Sequence, residues 1–309
     1  MTLRPLGRSG LSTAPLAFGG NVFGWTADEQ TSFTLLDAFV GEGFSLIDTA
    51  DVYSAWAPGH KGGESETVIG NWLAARPGVR DKVLIATKTG MMNGLTAPEI
   101  ETAAEASLMR LRTDRIDIYF SHKDYPETEL DETLRAYEKL IAAGKVRCVG
   151  ASNYSGARVR EALATAGSAA LPRYEVLQPE YNLMARGFET EDAPVAKDEG
   201  LGVITYFSLA SGFLSGKYRS QDDVKGARSQ AVGKYLNDKG FAVLAALDAV
   251  SKAHGATPAQ IALAWVMAKP QVTAAIASAT SLDQFKDLAA AARLTLSAED
   301  MTALDTASA

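Results

Sequence analysis

Short runs of apolar and often β-branched residues alternate along the chain with longer segments whose apolar positions recur at helical spacing. The short runs read as strands: Ala14–Phe18, Ser45–Ile47, Val83–Ala86, Ile116–Phe120, Val146–Gly150, Glu175–Leu177, Gly202–Thr205 and Val272–Ile276. The longer ones predict amphipathic helices. Asp28–Val40 places Phe33, Leu36 and Phe39 on one face, and Glu64–Ala75 does the same with Val68, Ile69 and Leu73. Further helical patterns cover Pro98–Leu111, Glu129–Ala143, Ser155–Ala166, Ala193–Glu199 and Ser281–Ala291. Gly144, Gly167 and Gly200 stand where helix C-caps are expected, and Pro98 and Pro258 fall in first turns, where a missing N–H costs nothing.

About eight strand–helix repeats with no Pro/Gly/Ser linker between them predict an α/β fold, a single closed (β/α)8 TIM barrel spanning residues 1–309. A doubly wound open sheet is the alternative on pattern alone. Helical patterns at Gly240–Ala253, Pro258–Ala268 and Ala298–Thr306 exceed the eightfold plan, and Leu3–Leu11 reads as a hairpin capping one end.

Composition narrows the function classes. The 309 residues are 47% hydrophobic and 22% charged, ample for a large core. Thirty basic against 37 acidic side chains give a net charge of −7, without the basic footprint of a nucleic-acid binder. No apolar run reaches the length of about 18 residues needed for a membrane span. Pro5, Gly7, Gly10 and Pro15 interrupt any signal-peptide core, so a cytoplasmic protein is expected. The one cysteine, Cys148, reads as buried strand filler. His60, His122 and His254 lack paired metal-ligand spacing, so no metal is expected.

The polar residues that end the predicted strands carry the chemistry. In a barrel such positions converge on one mouth. Asp48, Lys88, His122, Ser152 with Asn153, Gln178 and Tyr206 each follow a strand, and six strand ends of this kind predict an active site. Tyr53 lies five residues after Asp48, on the loop leaving the same strand. A lysine paired with a carboxylate stays charged when partly buried, and its field is expected to lower the pKa of a nearby phenol, making Tyr53 a general acid. His122 would donate a hydrogen bond to a carbonyl oxygen.

Around these residues the sequence resembles the aldo-keto reductase family. The resemblance rests on Asp48-Thr49-Ala50-Asp51-Val52-Tyr53, Gly63-Glu64-Ser65-Glu66, Ile85-Ala86-Thr87-Lys88, Gly150-Ala151-Ser152-Asn153-Tyr154, Gln178-Pro179-Glu180-Tyr181-Asn182 and Tyr206 through Tyr218, in the expected order. It implies a catalytic tetrad of Asp48, Tyr53, Lys88 and His122, with Tyr53 as proton donor and hydride passing from a reduced nicotinamide to a carbonyl carbon. It implies further that Ser152, Asn153 and Gln178 hold the carboxamide, and that Tyr206 stacks on the ring. The backbone of Ser208, Leu209 and Gly212, with Lys217, would meet the pyrophosphate. The family binds its dinucleotide without a Rossmann glycine fingerprint, and the run Gly212–Tyr218 only imitates a P-loop, one residue short and ending in Tyr218.

Two departures stand out. Phe207-Ser208 replaces the Ser-Pro common in relatives. The stretch containing Ser278, Thr280 and Gln284 carries no Lys or Arg, whereas NADP-preferring relatives often use one there for the 2′-phosphate. NADP(H) is expected on family grounds, with NAD(H) as the alternative. Lys88, Lys217 and Arg228 are the candidate cations for an anionic dinucleotide. Phe23, Trp25, Trp56 and Tyr125 are expected as an aromatic substrate wall. Only a short run follows Asp300, where many relatives carry a long C-terminal loop that shapes specificity, so the resemblance implies an open pocket for aldehydes or ketones of varied size. Two other readings remain: a Schiff-base aldolase using Lys88, and a regulatory subunit of the potassium-channel β type, against which stands the lack of a long extension before Arg4.

Overall fold

Strand alternation, extended past the apolar runs, is what builds the molecule's mouth. The computed structural model describes residues 2–225 and 229–309, so Arg228 lies outside the described residues. Two short antiparallel strands, β1 (Arg4–Pro5) and β2 (Ser12–Thr13), form the expected hairpin. Eight parallel strands follow: β3 (Leu16–Gly19), β4 (Leu46–Asp48), β5 (Leu84–Thr89), β6 (Ile116–Ser121), β7 (Val146–Ser152), β8 (Tyr174–Gln178), β9 (Gly202–Thr205) and β10 (Ala274–Ala277). Each pairs with its predecessor and β10 returns to β3, closing a (β/α)8 barrel rather than leaving an open sheet.

The strands overrun several of the predicted ends, and most of the added residues are polar. Lys88 pairs with Phe120, and Ser152 with Gln178, inside the ladder. Apolar content stops at the barrel's mouth, but backbone pairing does not. Asp48, Lys88, Ser152 and Gln178 are therefore held within the strands, while Tyr53, His122 and Tyr206 stand just beyond strand ends.

Two hydrophobic clusters divide the interior. The larger fills the layer between barrel and helices, with Phe39, Trp72, Leu134 and Trp265 among its buried members. The smaller lies inside the barrel, where Ala17, Leu46, Ala86, Ile118, Phe120, Val176 and Ile204 meet Leu6 and Leu11 of the hairpin. Cys148 belongs to this inner cluster, and burial pushes its thiol up to about 12, as expected for filler. Gly150 makes room for Phe120: a Cβ there would lie 2.3 Å from the Phe120 ring and 2.7 Å from the Val176 carbonyl.

Predicted helix ends hold with one exception. Gly200 caps its helix at φ 65° and Gly144 follows its helix at φ 71°. Gly167 does not cap: the helix Gly156–Ala169 runs through it and closes at Ala170, with φ 55°. The buried Leu171 sets this closure, its N–H returning to the Ala166 carbonyl. No helix among the described residues is long and apolar enough to cross a membrane.

Gly150→Ala is expected to destabilise the fold by about 1–3 kcal/mol through overpacking against Phe120. A urea midpoint equal to that of the unmodified chain would show that the barrel interior tolerates the extra methyl.

Candidate active site

The period of two along each strand dictates which side chains reach the mouth. Leu46, Ala86, Phe120, Val176, Ile204 and Ile276 point into the barrel. Two residues beyond each stands a polar group: Asp48, Lys88, His122, Gln178, Tyr206 and Ser278. Ser152 stands in the same relation to Gly150. One layer of apolar side chains thus forms a floor, and the next layer up is polar.

Lys88 lies at the centre and is 0% exposed. Its ammonium donates to the Asp48 carboxylate at 2.8 Å, to the Thr49 carbonyl at 2.7 Å and to the Tyr53 hydroxyl at 2.9 Å. Three donors meet three acceptors. The Tyr53 hydroxyl also donates to Asp48 at 3.1 Å, and Gln178 Nε2 donates to the other Asp48 oxygen at 2.8 Å. The chain after β4 is pinned for this purpose, with Thr49 N–H donating to the Ala86 carbonyl and Asp51 N–H to the Lys88 carbonyl.

The electrostatics correct two expectations. Burial pulls the Lys88 ammonium below its ordinary value, and Asp48 only partly opposes that pull. The Tyr53 phenol is raised well above 10, not lowered: burial is the largest cause, followed by the neighbouring Asp48 charge. The phenol therefore keeps its proton. His122 is pushed down to about 3 by burial and then by Lys88, so its imidazole is neutral at ordinary pH. Its Nδ1 is buried with no partner among the described residues. The Tyr53 and His122 rings sit 6.1 Å apart.

A belt of amides and hydroxyls crosses the opposite wall. Ser152 Oγ donates to the Gln178 carbonyl at 2.8 Å. Asn153, held at φ 56°, donates from Nδ2 to the His122 carbonyl at 2.8 Å and accepts from the Tyr206 hydroxyl at 2.8 Å. With Gln178 Nε2 bound to Asp48, the Gln178 amide oxygen takes no hydrogen bond from the described residues.

The segment after β9 runs through a left-handed stretch, with Ala210, Ser211 and Gly212 at φ 49°, 58° and 97°. Lys217 curls back over it, its Nζ 4.0 Å from where a Gly212 Cβ would stand. Ser208 keeps its side chain inside, its hydroxyl donating to the Thr205 carbonyl. Leu209 packs against the core. Beyond β10, Ser278 donates to Asn21 Oδ1 at 2.6 Å, and Gln284 Oε1 accepts from the Thr280 N–H at 2.9 Å. Neither Lys nor Arg takes part in those bonds.

The expected aromatic wall is only partly assembled. Trp25 and Trp56 meet edge to face at 5.6 Å, and Trp56 lies 6.0 Å from the Tyr53 ring. Phe23 is not part of it. It is fully buried and stacked on Phe18, because its loop folds into the barrel–helix layer and packs like any core ring. Tyr125 is tied by its hydroxyl to the Asn93 carbonyl at 2.9 Å. Sequence reasoning missed the Thr49 carbonyl and Asn21. A backbone acceptor leaves no trace in residue type, and Asn21 lies a long way in sequence from its partner Ser278.

A barrel whose mouth gathers a buried lysine–carboxylate pair, a protonated phenol, a neutral imidazole and an amide belt is that of an enzyme acting on a small polar group. The model of the aldo/keto reductase family matches residues 15–309, and the chain belongs to that family. It is 34% identical to a Bacillus subtilis protein named as the uncharacterized oxidoreductase YrpG, over 97% of this chain and 94% of the relative. It is 33% identical to protein tas of Escherichia coli, over 96% and 94%. A protein of Arabidopsis thaliana named as a probable voltage-gated potassium channel subunit beta is 30% identical over 93% of this chain and 90% of its own. The protein is an oxidoreductase of the kind that works with a nicotinamide cofactor on small molecules.

With its folded value near 3, His122 takes up no proton where an unfolded chain would, around 6.5. Between those values the unfolded state binds more protons, so stability falls as pH drops from 6.5 towards 3. The expected NMR result is a His122 ring resonance that does not move between about pH 5 and about pH 8. A midpoint within that window would overturn the assignment of a neutral ring.

Proposed function

We propose that the protein reduces aldehydes or ketones to alcohols with NAD(P)H, reversibly, and that Asp48, Tyr53, Lys88 and His122 are its catalytic residues. The observation that carries this reading is the buried ammonium of Lys88, bonded to both Asp48 and the Tyr53 hydroxyl at 2.8 and 2.9 Å. A bound reduced nicotinamide supplies the hydride that the carbonyl carbon receives. Tyr53 donates its proton to the carbonyl oxygen as negative charge develops there. Lys88 then faces the deprotonated Tyr53 oxygen directly and stabilises it, while Asp48 keeps the ammonium fixed. His122, neutral, orients the carbonyl oxygen with a ring N–H.

The mouth has the groups to hold the cofactor. Gln178 offers its free amide oxygen to the carboxamide N–H groups, beside Ser152 and Asn153, and Tyr206 offers a ring face. The backbone of Ser208, Leu209 and Gly212, with Lys217 above it, suits the pyrophosphate. NADPH is the preferred cofactor on family grounds. NADH is the second reading, favoured by the cation-free bonds of Ser278, Thr280 and Gln284. Trp25 and Trp56 line an open substrate pocket for carbonyl compounds of varied size. The whole chain works as one barrel domain in the cytoplasm.

Two other chemistries fit less well. A Schiff-base aldolase needs a lysine with a free lone pair, and every N–H of Lys88 is already given to an acceptor. A binding-only role of the type suggested by the plant relative's name leaves the assembled Lys88, Asp48 and Tyr53 without a task.

Tyr53→Phe is expected to lose roughly 100-fold or more in carbonyl reduction while keeping nucleotide affinity. Unchanged turnover in that variant removes Tyr53 as the acid. Fluorescence titration with NADPH and NADH is expected to show tighter binding of NADPH. Markedly tighter NADH reverses the preference and makes the corner at Ser278 an NAD site.

A further inference from the structure

Phe207 directly follows Tyr206 and is 51% exposed. Strand alternation would send its side chain outward, into the layer where Val203 is buried. Its backbone instead turns left-handed, with φ 51°, a conformation that costs a residue with a Cβ. Two hydrogen bonds hold it there. The Phe207 carbonyl accepts from Nδ2 of the fully buried Asn182 at 3.0 Å and from the Ala210 N–H at 2.6 Å. The strain is thus built in, and its product is a half-exposed phenyl ring at the barrel mouth. Core packing does not require this arrangement, because about half of the residue stays exposed.

The ring does stand in a defined relation to its neighbour. Its centroid lies 5.1 Å from that of Tyr206, with the planes at 76°. Tyr206 is in turn fixed through its hydroxyl to Asn153. A planar heterocycle stacked on Tyr206 on the side of Phe207 would lie nearly perpendicular to the Phe207 ring, and edge-to-face contact of that kind is favourable between rings.

We propose that Tyr206 and Phe207 form a two-ring corner for the nicotinamide end of the dinucleotide, with Phe207 as a cofactor-binding residue presented by its left-handed backbone. This rests on the reading of the mouth as a nicotinamide site. It gives a reason for the aromatic residue at a position where the sequence departs from Ser-Pro.

Three variants test it, read by fluorescence titration with NADPH and NADH and by thermal melting. Phe207→Ala and Phe207→Gly should both weaken binding of the preferred nucleotide by roughly three- to tenfold, since both lose the ring. Phe207→Tyr should restore it. Phe207→Gly should melt about 2 °C above Phe207→Ala, because only glycine relieves the left-handed backbone. Equal nucleotide affinity in the unmodified chain and both small variants, or a rise confined to the KM of the carbonyl substrate, overturns the role of Phe207 alone. Failure of the unmodified chain to bind either nucleotide overturns the nicotinamide site itself, and the corner with it.

Discussion

The buried ammonium of Lys88 is the constraint to which the mouth of this barrel is built. A charge taken fully out of water is tolerable only when each of its donors finds an acceptor. The three acceptors come from the end of one strand, from the backbone just beyond it, and from the loop that follows. Meeting the need of one lysine therefore fixes β4, its outgoing chain and Tyr53 against β5. Gln178 reaches the same carboxylate from the far side of the barrel, so the constraint spans the opening.

A second layer of carboxylates lies behind it. Glu66 is fully buried and held by Arg110 and the Thr87 hydroxyl. Asp51, beside it, is raised to about 6 by burial and then by Glu66, with Arg110 opposing. These groups sit on the outer side of β5, where the odd-numbered residues point, while Lys88 points inward. The mouth thus owes its chemistry to burial as much as to charge. Burial is the largest cause of the neutral His122, the protonated Tyr53 and the weakened Lys88 alike.

The fold was legible because the apolar runs recur in step with helices, and a closed parallel barrel satisfies that alternation with short connections. The site was legible for a related reason: a polar residue two positions past an inward apolar one must face the mouth. Asp48, Lys88, His122, Gln178 and Tyr206 all follow that rule. What residue types do not carry are backbone acceptors and dihedral angles. The Thr49 carbonyl, the closure at Ala170 rather than Gly167 and the left-handed Phe207 each depend on how distant segments press on the chain. The direction of the Tyr53 shift is hidden from residue types for the same reason, since sequence shows a cation nearby but not the loss of water. Phe23 looked like Trp25 in sequence, both loop aromatics, and only packing separates them.

The hairpin at the start of the chain has a consequence for traffic. Leu6 and Leu11 close the far end of the barrel against its inner cluster, so the interior has no second opening there. With the apolar layer and the hairpin beneath it, whatever the mouth binds enters and leaves on one side of the barrel.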